Sequence, residues 1–468
     1  MSRQQSIEAA EKYFDSHEFH RDLARRVAIP TESQNPDRQL ELNAYLISDL
    51  TPALEKMGFA CRLYENPKKG GPFLLATRIE DASFPTVLSY GHGDVIRGLE
   101  PQWRKGLSPW KLVEEGEKIF GRGTADNKGQ HTINIGAMKS VIEARQRLGF
   151  NMKLLIETGE ETGSPGLNAF CQSHKAALQA DVFIASDGPR LSPTRPTLFL
   201  GSRGVMNFDI AVELRKGAHH SGNWGGLIAD PGIVLAHAIA SITDVRGTIR
   251  VPEWRPGEIP ASVRAALKDC DPSGGAELGN EAPKVDLDWG EPGLSPSERV
   301  FAWSSFSVLA MKTGNPDHPV NAIAGQAWAR CQLRFVVGID AKDIVPSLQR
   351  HLQREGFDQV KVTPSREEVM SATRLDPDSP WVKWAVASIA RTTGKKPAIL
   401  PNLGGSLPNE VFAETLGLPT VWIPHSYSAC SQHAPNEHLL APIAREGLQI
   451  MAGLFWDMGE PEGRPALR

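Results

Sequence analysis

The chain has 468 residues, a formal net charge of −4, 40% hydrophobic and 23% charged residues. That balance excludes the disordered and membrane-embedded classes, and without a basic stripe or a block of like charge there is little for nucleic acid to bind. The length exceeds what one common hydrophobic core serves, so two or more domains are expected.

The amino-terminal stretch MSRQQSIEAAEKYFDSH is polar and lacks the apolar core of a secretory signal. No apolar run reaches the roughly 18 residues needed to span a bilayer. Cys61, Cys171, Cys270, Cys331 and Cys430 are scattered singly, which predicts reduced thiols in a cytoplasmic protein rather than disulfides or a thiolate metal site. Apolar spacing through Ala9, Tyr13, Phe14 and Leu23 predicts one helix over 5–28, and Leu40, Leu46, Leu50 and Leu54 a second over 38–57. β-favouring runs follow at Ala60–Tyr64 and Phe73–Ile79, then a strand at 85–90 that ends in Gly91-His92-Gly93-Asp94. A Trp-bearing loop with a short hairpin leads to Gly121–Gly129, where glycines bracket Asp126 just before a helix over 130–147. An aspartate there is commonly an N-cap, but glycines on both sides predict a backbone bending sharply close to something.

Strand Met152–Glu157 runs into Gly159-Glu160-Glu161, and after a helix over 165–176 strand Asp181–Ala185 runs into Ser186-Asp187-Gly188. Two adjacent carboxylates after a buried strand raise each other's pKa unless a cation is near. From Gly201 the pattern changes. An alternating strand (Phe208–Leu214), His219-His220, a helix over 231–243, a Pro/Gly/Trp-rich excursion over 251–300, strands Phe306–Met311, Trp328–Val336 and Val360–Thr363, and a helix over 341–356 suggest one sheet with two helices. The α/β rhythm then resumes with helices over 381–393, 410–416 and 442–457 and strands Ala398–Leu400 and Thr420–Ile423. The expected fold is therefore α/β, a mostly parallel-sheet domain with helices on both faces (1–202 and 371–468) interrupted by a smaller α+β lid or dimerisation domain (203–370). Trp103, Trp110, Trp224 and Trp254 could line a cleft, although packing under loops is the commoner role; His131 and His174 read as surface or packing residues, and His425 and His438 as flanks of a carboxyl-terminal motif.

His92, Glu160-Glu161, Asp187 and, after a longer loop, His433 each follow an apolar strand, and in a parallel sheet such ends share one edge. With Asp126 they give two imidazoles and three or more carboxylates without a thiolate. That donor set suits Zn²⁺, with Mn²⁺ or Co²⁺ as alternatives. It exceeds what one ion needs, so two ions sharing a carboxylate are expected.

In order along the chain, GHGDVI, GRGTADNKG, ETGEETGS, SDGP, HHSGNWGG, GGSLP and HAPNEH resemble the co-catalytic di-zinc metallopeptidase/deacylase family, which includes carnosinases and related dipeptidases, aminoacylases, acetylornithine deacetylase, succinyl-diaminopimelate desuccinylase and carboxypeptidase G. The resemblance implies that Asp126 bridges two ions, with His92 and Asp187 on one and Glu161 and His433 on the other. It implies Glu160 as general base, Asp94 as the carboxylate orienting His92, and His220 as the oxyanion-stabilising histidine, often supplied by a partner subunit. His219 stands beside it in the same motif. Arg334, Ser406 and Asn321 resemble residues that hold the substrate carboxylate, and the Asp126–Asn127 peptide is expected to be cis. Asn127 departs from the aspartate often found there, and Asp187 is the choice of dipeptidase and aminopeptidase members. The implied activity is hydrolysis of an amide beside a free carboxylate: a dipeptide or small peptide first, an N-acyl or N-carbamoyl amino acid as the alternative, and an inactive binding protein as a third possibility. The implied assembly is a homodimer through the lid.

Overall fold

In a computed structural model, residues 2–272, 284–365 and 369–466 are described. An eight-stranded sheet runs in the order 60–64, 73–78, 151–157, 86–92, 182–185, 420–422, 197–199, 398–400. Its four central strands, Asn151–Glu157, Thr86–His92, Val182–Ala185 and Thr420–Trp422, are parallel to one another. They are almost wholly buried, as expected for a sheet covered on both faces. Val87, Met152, Ile184 and Val421 point into one core, shared with helices Lys128–Arg145 and Ala441–Met458. Leu88, Tyr90, Phe183 and Trp422 point into the other, shared with helices Leu167–Ser173 and Ala261–Leu267. Because the four strands run one way, His92, Glu157, Ala185 and Trp422 all end at the same edge.

A second, antiparallel sheet has the order 305–313, 326–335, 204–213, 360–364. Helices Pro231–Ile242 and Ile344–Arg354 cover one of its faces, with Trp254 buried in the same core. Strand Ser305–Thr313 is an outer edge, exposed along most of its length, and it presents Val308, Leu309 and Met311 to solvent.

The elements differ from the periodic reading where local geometry interrupts a pattern. The helix expected over 5–28 is two, Arg3–Asp15 and Glu18–Val27, divided where His17 adopts a left-handed backbone with φ 58°. The helix over 38–57 contains a π-helical stretch at Tyr45–Leu50, and the turn at Val411–Thr415 is also π-helical. The helix over 165–176 is broken at His174. Within the 251–300 excursion, Ala261–Leu267 and Pro296–Phe301 are short helices, whereas 273–283 lie outside the described residues.

Candidate active site

Each strand-end side chain is aimed by its backbone. Gly91 lets the end of the 86–92 strand press against the helix below, since a Cβ there would meet the His131 Cβ at 2.9 Å and Asn127 Oδ1 at 3.1 Å. Gly129, in the first turn of helix Lys128–Arg145, is needed for the same reason: a Cβ there would overlap the Thr124 carbonyl oxygen. The N-cap of helix Lys128–Arg145 is Asn127, without a side-chain capping bond. Asp126 therefore does not cap the helix. Its carboxylate turns toward the sheet edge, and the peptide joining it to Asn127 is cis.

The two oxygens of Asp126 meet two different imidazoles. Oδ1 lies 3.0 Å from His92 Nε2, and Oδ2 lies 3.0 Å from His433 Nε2. Asp187 Oδ2 is 3.6 Å from His92 Nε2, while Glu161 Oε2 is 2.9 Å from His433 Nε2. Two clusters result, His92–Asp126–Asp187 and Asp126–Glu161–His433, each with ligand atoms within 4.8 Å of one another. Asp126 belongs to both. Buried Asp187 Oδ2 has no hydrogen-bond partner among the described residues, an orphan that a cation would satisfy. An all-N/O donor set of this kind suits a divalent metal of the zinc group.

Electrostatics follow from crowding. Burial, then repulsion from Asp126, pushes Asp187 up to about 6 and Glu161 up to about 7. Burial lifts Glu160 well above the carboxylate range; the carboxylates of Glu161, Asp187 and Asp126 add to this while His92 opposes it. For His433 the hydrogen bonds to Asp126 and then Glu161 raise the imidazole to about 11. At His92 burial opposes protonation but the Asp126 and Asp94 carboxylates outweigh it. Four carboxylates and two imidazoles thus compete for positive charge, which is how a ligand set behaves when cations are its natural partners.

Asp94 ties this edge together. Its carboxylate accepts the backbone N–H groups of Glu160 and Glu161 at 3.2 and 3.1 Å. Its carbonyl lies 3.0 Å and its Oδ1 3.4 Å from His92 Nδ1, so the other nitrogen, Nε2, is the one presented to Asp126. A cavity of about 510 Å³ opens onto the clusters. Asp126, Glu160, Asp187 and His433 line one side of it, and Arg334 and Ser406 line another. Arg334 Nη1 donates to Ser406 Oγ at 3.1 Å, and that hydroxyl donates to the Arg203 carbonyl at 2.7 Å. Burial, then the neighbouring Arg334 charge, lowers Arg203 to about 9. Among the described residues neither guanidinium has a carboxylate partner.

Residues 88–457 match the family described as Peptidase family M20/M25/M40. The chain belongs to peptidase family M20/M25/M40. This M20/M25/M40 peptidase is 26% identical to the Beta-Ala-His dipeptidase of Homo sapiens, over 97% of this chain and 93% of that one. It is 27% identical to the Cys-Gly metallodipeptidase dug1 of Schizosaccharomyces pombe, over 96% and 97%. The crystal structure of human carnosine dipeptidase 1 shares the fold with a TM-score of 0.79 at 24% identity, covering 97% of this chain and 98% of that one.

Several sequence-derived candidates of the M20/M25/M40 peptidase stand elsewhere. His220 is exposed, in the short strand His219–His220 paired with Ala322–Ile323, and the Asn321 carbonyl accepts the Ser221 N–H there. Neither His220 nor Asn321 lines the cavity, and Trp103, Trp110, Trp224 and Trp254 do not line it either. His131, read as a surface or packing residue, is fully buried. Its Nδ1 is 3.1 Å from Asn127 Oδ1 and its Nε2 is 2.5 Å from the Tyr45 hydroxyl. His174 packs against Phe170 and Tyr64, His438 bonds the Tyr427 hydroxyl, and His425 is buried with no side-chain hydrogen bond among the described residues. Three residues went unnoticed in sequence. Gln432 donates to Asp126 Oδ2 at 2.6 Å, Arg203 sits beside Arg334, and Glu437 receives the loop that carries Asp126. The Glu437 carboxylate was visible in the HAPNEH motif, but nothing local to that motif points to residues 123–126.

Proposed function

We propose that this peptidase is a metal-dependent dipeptidase, cleaving the amide bond of a short peptide that bears a free carboxylate. The observation carrying this reading is the double role of Asp126, whose two oxygens face His92 and His433 separately beside a cavity that also holds Arg334. His92, Asp126 and Asp187 would hold one divalent ion and Asp126, Glu161 and His433 the other, zinc being the first choice for these donors with Mn²⁺ or Co²⁺ as alternatives. Such ions supply Lewis acidity, polarising the scissile carbonyl and lowering the pKa of a water molecule. Glu160, whose proton affinity burial and neighbouring carboxylates raise, takes the proton of the attacking water on its carboxylate and delivers it to the leaving amine nitrogen. Asp94 holds His92 and the Glu160–Glu161 turn in mutual register. Arg334, seconded by Ser406 and by the charge of Arg203, binds the substrate carboxylate, for which unpaired guanidinium groups beside a cavity are well suited.

Dipeptides are favoured over N-acyl and N-carbamoyl amino acids because the relatives matched over nearly their whole length are named dipeptidases. Residues 203–370 act as the lid and dimerisation domain. The apolar edge Val308, Leu309 and Met311 is the kind of exposed strand that pairs with a second copy, and His220 serves the partner's cavity by stabilising the oxyanion. No helix of the described residues is long and apolar enough to cross a membrane. The five cysteines, free in the structure, fit a reducing, cytoplasmic setting. A panel of dipeptides set against N-acetyl, N-succinyl and N-carbamoyl amino acids, assayed with Zn²⁺, Mn²⁺ and Co²⁺, tests the reading. Turnover confined to the acyl set overturns it.

A further inference from the structure

A third cluster of metal-ligating side chains lies outside the cavity. His17, His20 and Glu114 offer ligand atoms that all fall within 4.8 Å of one another. They converge from the corner between helices Arg3–Asp15 and Glu18–Val27 and from the strand Val113–Glu115. His17, exposed at that corner, brings its ring centroid to 4.8 Å from that of His20. His20 is only 7% exposed, packed on Phe14 at 4.7 Å between ring centroids. Its Nδ1 is buried and has no hydrogen-bond partner among the described residues. Its Nε2 stands 3.7 Å from Glu114 Oε2, beyond hydrogen-bond length. An imidazole buried this deeply normally has both nitrogens engaged. Burial lowers its proton affinity; Glu114 opposes, and His17 and Arg21 add to the lowering. The ring is therefore held in the neutral form that binds metal.

We propose that His17, His20 and Glu114 form a surface site for one d-block divalent cation of the zinc class, separate from the catalytic clusters, with solvent completing the coordination shell. Two imidazoles and a carboxylate are a sufficient protein ligand set for such an ion. The site joins the amino-terminal helices to a strand about a hundred residues further along the chain. Strand Val113–Glu115 pairs with Lys118–Phe120, which pairs in turn with His438–Leu440, directly after the loop carrying His433 and Glu437. A bound ion therefore clips the amino-terminal helices to the hairpin that backs the carboxyl-terminal ligand loop.

The test is equilibrium dialysis of the full chain against Zn²⁺ near neutral pH, with metal analysis, for the wild type, His17→Ala and Glu114→Gln. Both substituted residues are exposed, so the fold is retained. Each variant is expected to bind one equivalent fewer than the wild type, whatever number the catalytic clusters take. Zn²⁺ is expected to raise the Tm of the wild type further than that of either variant, because only the wild type gains the additional binding free energy. Equal zinc content in all three proteins overturns the proposal, as does an identical Zn²⁺-induced Tm shift.

Discussion

The Glu437 carboxylate accepts the backbone N–H of Asp126 at 3.1 Å, joining residues 311 positions apart. The same oxygen accepts the N–H groups of Gly123 and Ala125 at 3.0 Å each, and the other takes Arg122 Nη1 at 2.7 Å. Both partners of that ion pair are about 1% exposed. Four residues of the Asp126 loop thus hang on one side chain of the His433 loop. Glu437→Ala strands a buried guanidinium and three N–H groups, and the expected loss is about 3–5 kcal/mol, measured by urea denaturation. Glu437→Gln keeps an acceptor for the amides and loses the charge, so its expected cost is smaller, about 1–3 kcal/mol.

Glu160 and Glu161 are adjacent, but only Glu161 lies within ligand distance of His433 and Asp126. Glu160→Gln is accordingly expected to leave metal content intact while turnover falls by about 10²–10⁴. Glu161→Gln is expected to lower both. Metal analysis beside steady-state kinetics separates the two roles, and undiminished turnover in Glu160→Gln removes it as the base.

Arg334 lines the cavity beside Arg203, and among the described residues neither guanidinium has a carboxylate partner. Arg334→Ala is expected to lower kcat/KM for dipeptides with a free carboxyl group by roughly 10- to 150-fold, the equivalent of one charge-assisted hydrogen bond of about 1.5–3 kcal/mol. The same substitution should barely affect carboxamide analogues. Comparing the two substrate series on one variant measures the carboxylate contact directly.

Glu157 is 1% exposed and accepts from the Tyr90 and Ser164 hydroxyls. Burial, then the Asp94 charge, raises it from 4.5 to about 7. The folded chain holds this proton more tightly than the unfolded chain does. The stability it contributes is therefore complete below about pH 4.5 and is lost as pH rises through about 7. Glu157→Gln, which cannot ionise, should match the wild type near pH 4.5 and exceed it by about 3 kcal/mol above pH 8. Chemical denaturation of chelator-treated protein across that range is the measurement.

His220 is exposed while Asp126 and Glu160 line the cavity, and the proposed dimer has this histidine serve the cavity of a second copy. His220→Ala and Glu160→Gln, each nearly inactive alone, should regain activity on mixing once subunits exchange, because a mixed dimer has one site with both groups intact. Mixing without any recovery assigns His220 to its own chain or to no catalytic role. Leu309→Lys, at the apolar edge strand, should shift the protein toward monomer in light scattering and lose activity in parallel.

The side chains that the structure gathers into the two clusters were legible in sequence because most carry a local mark. His92, Glu161 and Asp187 end apolar runs, Asp126 is bracketed by glycines, and parallel strands bring such ends to one edge whatever the loops between them do. The π-helical stretches, the break at His17 and the burial of His131 were not legible: hydrophobic periodicity reports which face is apolar, not a single left-handed residue or a hydrogen bond from an imidazole to Asn127. Only the tertiary structure decided how Asp126 divides its oxygens between two imidazoles, that Glu437 grips the Asp126 loop, that Arg203 lies beside Arg334, and that His17, His20 and Glu114 meet. These are contacts between residues tens to hundreds of positions apart, set by packing and the burial of polar groups, and such contacts impose no repeat on the chain near either partner.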